Sequence, residues 1–225
     1  MRAMILAAGR GERLRPITDE IPKALVEVGG KPLIEYHLER VRAAGIETVV
    51  INLGWHGELI AERVGTGERY GLEVIYSNER DNVLETGGGI HKALPLLGNE
   101  PFLVINADIY TDMPVPDVQL PGDCLGHLVL VATPEYRHAG DFDLVDGLIR
   151  RSHRPGLTYA GVAIYRPEFF SGCKVGRFSV VPLVYRAAAA GRLSGSVYSG
   201  VWADVGTPER LAAVRAQVEA LLAPE

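Results

Sequence analysis

The sequence predicts an α/β fold: a mixed, mostly parallel sheet flanked by helices, in a single domain spanning residues 1–225. Three observations carry that prediction. Short apolar runs alternate with stretches whose apolar residues recur at helical spacing, an order that demands a parallel sheet with helices on both faces. None of the runs approaches the ~20 apolar residues of a membrane span. At 225 residues, 47% apolar and 23% charged, the chain has an ordinary globular composition. A domain of that size removes roughly 70–75% of its unfolded surface from water.

Residues 3–6 read as the first strand, followed by a helix marked by Ile34, Leu38 and Val41. Residues 48–51 form the second strand, and Trp55, Leu59, Ile60 and Val64 the next helical stripe. A third strand falls at 72–76, a helix carries Ile90, Ala93 and Leu94, and a fourth strand falls at 102–105. Residues 112–123 contain Pro114, Pro116 and Pro121 and break the alternation, which divides the domain into a nucleotide-binding half (1–111) and a sugar-binding half (112–225). Beyond the break, 128–132, 148–151 and 158–165 read as strands, some antiparallel. The last helix has Thr207 as N-cap, Pro208 at its first position, and Leu211, Val214, Val218 and Leu221 as its apolar stripe.

The net charge of −5 offers no basic excess for a nucleic-acid backbone. Cys124 and Cys173 match no metal or redox spacing and read as free thiols of a reducing compartment. The apolar run before Arg10 is shorter than the ~7–15 residues of an export signal. The expected location is the cytoplasm, with no membrane partner.

Ligands of parallel sheets bind beyond the carboxyl ends of the strands, so the loops after the first and fourth strands are where chemistry is expected. The first strand ends in Ala7-Ala8-Gly9-Arg10-Gly11-Glu12-Arg13-Leu14-Arg15-Pro16. Its glycines let backbone N–H groups approach a phosphate, and its arginines concentrate cations in an acidic protein. A dinucleotide fingerprint needs a third glycine where Leu14 stands. Downstream, Pro22 fixes the backbone before Lys23, a compact charge that can reach a phosphoryl oxygen. Asp108 closes the fourth strand, where a carboxylate can hold Mg²⁺ against substrate phosphates. Asp204 precedes the last helix, a position where aspartate also serves as a cap or a complement to the dipole.

The spaced set Gly9 to Pro16, Thr18 and Pro22-Lys23 resembles the signature of sugar-1-phosphate nucleotidyltransferases. The resemblance implies a Rossmann-like fold of the nucleotide-diphospho-sugar transferase type, acting on two small molecules, a nucleoside triphosphate and a sugar 1-phosphate. It gives catalytic roles to Arg13, Lys23 and Asp108, with Ala8, Gly9 and Gly11 on the nucleotide. Asn106-Ala107-Asp108 resembles the family's metal aspartate at a strand end. Trp202-Ala203-Asp204-Val205-Gly206-Thr207-Pro208 resembles its later motif, so that Asp108 and Asp204 would share one Mg²⁺.

By the same resemblance Leu84, Glu85 and Gly87 read the base, with Glu79 as neighbour. Asn106, Gly140, Asp141, Tyr159 and Gly161 line the sugar side. Glu85 stands where many relatives have glycine, and Tyr159 where many have asparagine, and a glutamate–lysine pair of the family is missing. These departures imply an unusual sugar. The chain length, the run from Leu84 to Gly89 and Gly140-Asp141-Phe142 resemble members that join UTP to N-acetylmuramic acid 1-phosphate in peptidoglycan recycling. Guanylyl transfer to mannose 1-phosphate and thymidylyl transfer to glucose 1-phosphate use the same motifs, and a nucleotide-sensing regulator is the alternative outside enzymes. The sequence carries no signal for an oligomeric state.

Overall fold

A computed structural model describes residues 1–79, 83–151 and 156–222. The first part runs β1 (Ala3–Leu6), α1 (Ile17–Glu20), β2 (Glu27–Val28), β3 (Lys31–Pro32), α2 (Leu33–Ala43), β4 (Thr48–Leu53) and α3 (Gly57–Val64). It continues through β5 (Glu73–Asn78), α4 (Glu85–Leu97), β6 (Phe102–Asn106) and β7 (Ile109–Thr111). After the proline-rich connection come β8 (Gly126–Ala132), β9 (Asp143–Val145), β10 (Leu148–Arg150) and β11 (Leu157–Tyr165). The chain ends with α5 (Val181–Ala189), β12 (Leu193–Val197), β13 (Trp202–Asp204) and α6 (Pro208–Leu222).

The described residues form a nine-stranded sheet of order β5-β4-β1-β6-β11-β8-β12-β10-β9. Strands β5, β4, β1 and β6 are mutually parallel, the block that the alternating pattern demands. The second part extends it with β11 antiparallel to both β6 and β8, and β12 parallel to β8. The mixed, mostly parallel α/β fold is therefore as expected, and the sheet is continuous across the two halves.

Helices cover both faces, so the central strands are buried on both sides and read as unbroken apolar runs. Ala3 and Ile5 of β1 join Ile34, Leu38 and Val41 of α2 and Ile60 of α3 in one cluster, while Met4 between them joins Ile90 and Ala93 of α4 on the other face. A third cluster packs Leu211, Val214 and Val218 of α6 on Leu14, Val26, Val28 and Leu33. The last helix thus returns to the first half, and this return carries β13 to the cavity described below.

Two details of the helical readings change. Trp55 lies before α3, not on its stripe, and Leu221 is 68% exposed because the third cluster ends at Val218. The glycine run 87–89 is helical, inside α4.

Candidate active site

The parallel register brings Asn52, Leu6 and Asn106 side by side at the carboxyl edge of the sheet. Above that edge opens a cavity of ≈ 630 Å³, within the range of small-molecule sites. Its walls are the loop Ala8 to Arg13, Lys23 and Ala24, then Asn52, Glu79, Val83, Glu85 and Thr86, and finally Asn106, Ala107, Asp108 and Gly206.

The loop after β1 is held in a single shape by local contacts. Gly11 has φ +64°, a conformation open to glycine, and a Cβ there would stand 2.8 Å from Thr18 Cγ2. The Thr18 hydroxyl donates to the Gly11 carbonyl at 2.8 Å. Trp55 braces the loop from outside: its indole N–H donates to Thr18 O at 2.8 Å, and the Arg10 guanidinium lies 5.6 Å from the ring centroid. Arg10, Arg13 and Lys23 all face the cavity, so a chain with net negative charge presents three cations at one place.

The floor is a buried polar network. The Ala7 N–H donates to Asn52 Oδ1 (2.7 Å), Asn52 Nδ2 donates to Glu79 Oε1 (2.8 Å), and the Leu84 N–H donates to Glu79 Oε2 (3.0 Å). Glu79 is 3% exposed and both its oxygens are engaged, so it ties β1, β4, β5 and the start of α4 together. Asn52 was absent from the expected site. Its signal was a lone amide closing the apolar run of β4 beside the phosphate loop.

The glycines of α4 answer a demand from within the chain. A Cβ on Gly87 would be 2.6 Å from the Phe178 ring, one on Gly88 2.2 Å from Gly176 O, and one on Gly89 2.6 Å from Glu79 Oε1. The segment before α5 is clipped on here, with Phe178 N–H donating to Leu84 O (3.1 Å) and Gly88 N–H to Phe178 O (3.0 Å). Leu84 and Gly87 consequently lie off the cavity wall, and Val83, Glu85 and Thr86 line it instead. Glu85 adopts φ +58°, costly for a residue with a Cβ, and its carboxylate is held by Arg177 Nε at 2.8 Å.

Asp108 lines the cavity, whereas Asp204 lies off its wall and is joined to the Asp108 turn through the backbone. β7 and β13 pair antiparallel with Asp204 opposite Ile109, and Val205 N–H donates to Asp108 O at 2.8 Å. Lys23 Nζ reaches Asp108 Oδ2 at 2.6 Å. Asp204 accepts from the Tyr136 hydroxyl on Oδ1 and from Arg210 Nη1 on Oδ2. Burial and the Asp204 carboxylate push the Tyr136 phenol up to about 12, which keeps it a donor. Two carboxylates suit a hard divalent ion that completes its shell with phosphate and water. Among the described residues no group of three or more His, Cys, Asp or Glu side chains gathers in a metal-holding arrangement.

Beneath this turn lies His37, fully buried, taking a hydrogen bond from Arg40 Nη2 on Nδ1 at 2.6 Å. Its Nε2 makes no hydrogen bond among the described residues, and the backbone of Ala107 and Ile109, the residues flanking Asp108, lies against the ring. Desolvation and the Arg40 charge hold its pKa at about 3, so it is neutral.

Of the residues expected on the sugar side, Asn106 lines the cavity, and Gly161 (φ +79°) abuts it at the irregularity in β11, where a Cβ would be 3.0 Å from Asn106 Nδ2. Gly140, Asp141 and Tyr159 lie off the wall. Asp141 is bound to Arg137 at 2.8 and 3.1 Å and accepts the Tyr159 N–H at 3.0 Å. Gly140 allows close approach to Leu157 O, 2.3 Å from where a Cβ would be. The Tyr159 phenol turns into the second apolar cluster to meet Tyr165, and burial raises its pKa well above the ordinary value.

The sequence pattern of the nucleotidyl transferase family matches residues 2–119, the stretch containing the loop, Lys23, the floor network and Asp108. The chain belongs to that family. The N-acetylmuramate alpha-1-phosphate uridylyltransferase of Neisseria meningitidis serogroup B is 46% identical over 220 residues, 94% of this chain and 95% of its own length. The protein of the same description from Caulobacter vibrioides is 40% identical over 96% of both chains. The inositol-1-phosphate CTP transferase from T. maritima shares the fold at a TM-score of 0.79 with 17% identity, over 99% of this chain and 98% of its own. This nucleotidyltransferase therefore shares the whole architecture, not the loop alone, with such enzymes. Its family generally works with a divalent metal. No helix among its described residues is long and apolar enough to cross a membrane.

Proposed function

We propose that the chain transfers the uridylyl group of UTP to N-acetylmuramic acid 1-phosphate, giving UDP-N-acetylmuramic acid and pyrophosphate. The observation that carries this reading is the 46% identity with a uridylyltransferase of that substrate along nearly the full length of both chains. The role in peptidoglycan recycling implied by the resemblance follows from the same substrate. The free thiols Cys124 and Cys173 support a cytoplasmic setting.

The triphosphate lies against the loop Ala8 to Arg13, with Arg10 and Arg13 over its charges. The base occupies the end formed by Asn52, Glu79, Val83, Glu85 and Thr86, where Glu79 acts by fixing Asn52 and the start of α4. The sugar phosphate enters beside Asn106, Gly161 and Gly206. Its oxygen forms a bond to the α-phosphorus as the bond to the pyrophosphate oxygen breaks. The nucleophile is already an anion, so no general base is required.

Charge is the obstacle. Two unit charges of one sign about 4 Å apart repel by ~4 kcal/mol at an effective dielectric near 20, and both substrates carry several. Lys23, beside Asp108 on the cavity wall, and the loop arginines lower that barrier by position and charge. Asp108 and Asp204 would hold Mg²⁺, which adds neutralisation of the phosphates when bound.

The test is pyrophosphate release from the purified protein with Mg²⁺. Four nucleoside triphosphates are crossed with the 1-phosphates of N-acetylmuramic acid, N-acetylglucosamine, glucose and mannose. Turnover confined to UTP and the muramic acid substrate is expected. Preference for another pair would keep the enzyme class and overturn the substrate.

A further inference from the structure

Behind Gly206, itself on the cavity wall, stands a cation without a task in the scheme above. Arg210 lies in the first turn of α6, where the positive end of the helix dipole disfavours a basic side chain. It nevertheless places Nη1 on Asp204 Oδ2, with its guanidinium carbon 4.5 Å from the Tyr136 ring centroid. The Tyr136 hydroxyl covers the other carboxylate oxygen. Gly206 lines the cavity, and a Cβ on it would be 2.9 Å from Arg210 Nη1 and 3.1 Å from Asp204 Oδ2. The absence of a side chain at Gly206 is what leaves the guanidinium next to the cavity. Lys23 on Asp108 repeats the arrangement at the first aspartate.

The distribution of charge shows what is missing. The cations lining the cavity, Arg10, Arg13 and Lys23, all come from the phosphate-loop side. Arg137, the other arginine near Asp204, is committed to Asp141 by two bonds. A phosphate monoester carries about −1.5 to −2 charges at neutral pH, and it must approach a triphosphate. Arginine suits such a ligand, since its planar fork matches phosphate oxygens in pairs.

We infer that Arg210 is a displaceable counter-cation: it neutralises Asp204 before the substrates arrive and, once a divalent ion takes that carboxylate, turns to bind the sugar 1-phosphate. The movement is small, because the guanidinium already borders Gly206, and its stacking on Tyr136 provides a pivot. The second half of the statement rests on the proposed function; the first half does not.

The experiment uses Arg210→Met, which keeps most of the stem, and Arg210→Lys, which keeps the charge. Mn²⁺ binding to the substrate-free protein is measured by the loss of the free-ion electron paramagnetic resonance signal, and KM is measured for each substrate. In Arg210→Met, removal of the competing cation is expected to tighten Mn²⁺ binding about two- to fivefold. Loss of a charged hydrogen-bond donor is expected to raise the KM for the sugar 1-phosphate about tenfold or more, with the KM for UTP changed by less than about twofold. Arg210→Lys should recover part of the sugar-phosphate KM, and it carries both readings at smaller amplitude if Arg210→Met does not fold.

Weaker or unchanged Mn²⁺ binding would mean that Arg210 only holds Asp204 in place, and would overturn the inference. An equal rise in both KM values, or none for the sugar phosphate, would overturn it as well. A wild-type protein inactive with N-acetylmuramic acid 1-phosphate would instead refute the substrate, leaving the Mn²⁺ measurement to judge Arg210.

Discussion

Replacing Gly88 by alanine should destabilise the protein, reversing the sign usual for a helix. Alanine in a helix interior is favoured over glycine by about 1 kcal/mol. In α4, however, the added Cβ would lie 2.2 Å from Gly176 O and 3.0 Å from Leu84 Cβ. Ordinary carbon–oxygen contact starts near 3.3 Å, so the segment carrying Gly176 has to retreat by roughly 1 Å. That retreat breaks the two backbone bonds of the clip, at 3.0 and 3.1 Å, each contributing about 0.5–1.5 kcal/mol. Phe178 also leaves Gly87 and His91, against which it packs, a loss of about 1 kcal/mol of apolar burial. The net expectation is a loss of about 1–3 kcal/mol, read from urea unfolding. Hydrogen exchange at the amides of residues 88 and 178 should accelerate with it. Since Glu85 and Thr86 lie on the same turn, the KM for UTP should rise. Stabilisation by about 1 kcal/mol with both amides still protected would refute the clip as the reason for the glycines.

Lys23→Ala should lower kcat at least about tenfold through loss of a cation at the phosphates, with little change in the unfolding midpoint; equal losses of activity and stability would contradict its role. Glu79→Gln must turn its new NH₂ toward either Asn52 Nδ2 or the Leu84 N–H, donor against donor, so a loss of about 1–3 kcal/mol in urea unfolding is expected. His37 has a folded pKa of about 3, below its unfolded value near 6.5. The unfolded chain therefore binds the extra proton between those values, and stability falls as pH drops through 6.5. From pH 7.5 to 5 this contributes a loss of about 2 kcal/mol that His37→Gln should lack, seen as a difference between the two pH profiles; parallel profiles would show that His37 is not held neutral.

The central strands were legible because burial on both faces leaves an unbroken apolar run, and α2 and α6 because burial on one stripe leaves a helical period. Strands β7 and β13 were not, since three residues each carry no period, yet their pairing is what brings Asp204 beside Asp108. Loop glycines such as Gly11 were readable from local chemistry. The reason for Gly87 and Gly88 was not, because it lies in Phe178 and Gly176, far along the chain. Leu84, Gly87, Gly140, Asp141 and Tyr159 were placed by resemblance, and the structure occupies them with internal contacts. Asn52 could have been found from its position at the end of a buried strand. Tyr136 could not, because only the tertiary fold brings it to Asp204, and Arg210, though close to Asp204 along the chain, stands in no pattern that marks it.

The most direct test of the central claim is pyrophosphate release by Asp108→Asn and Asp204→Asn, each near-isosteric and lacking the charge. With UTP, Mg²⁺ and N-acetylmuramic acid 1-phosphate, both variants are expected to lose at least about a thousandfold in kcat/KM while unfolding like the parent protein. Near-normal turnover in both would contradict the placement of the reaction between these two aspartates.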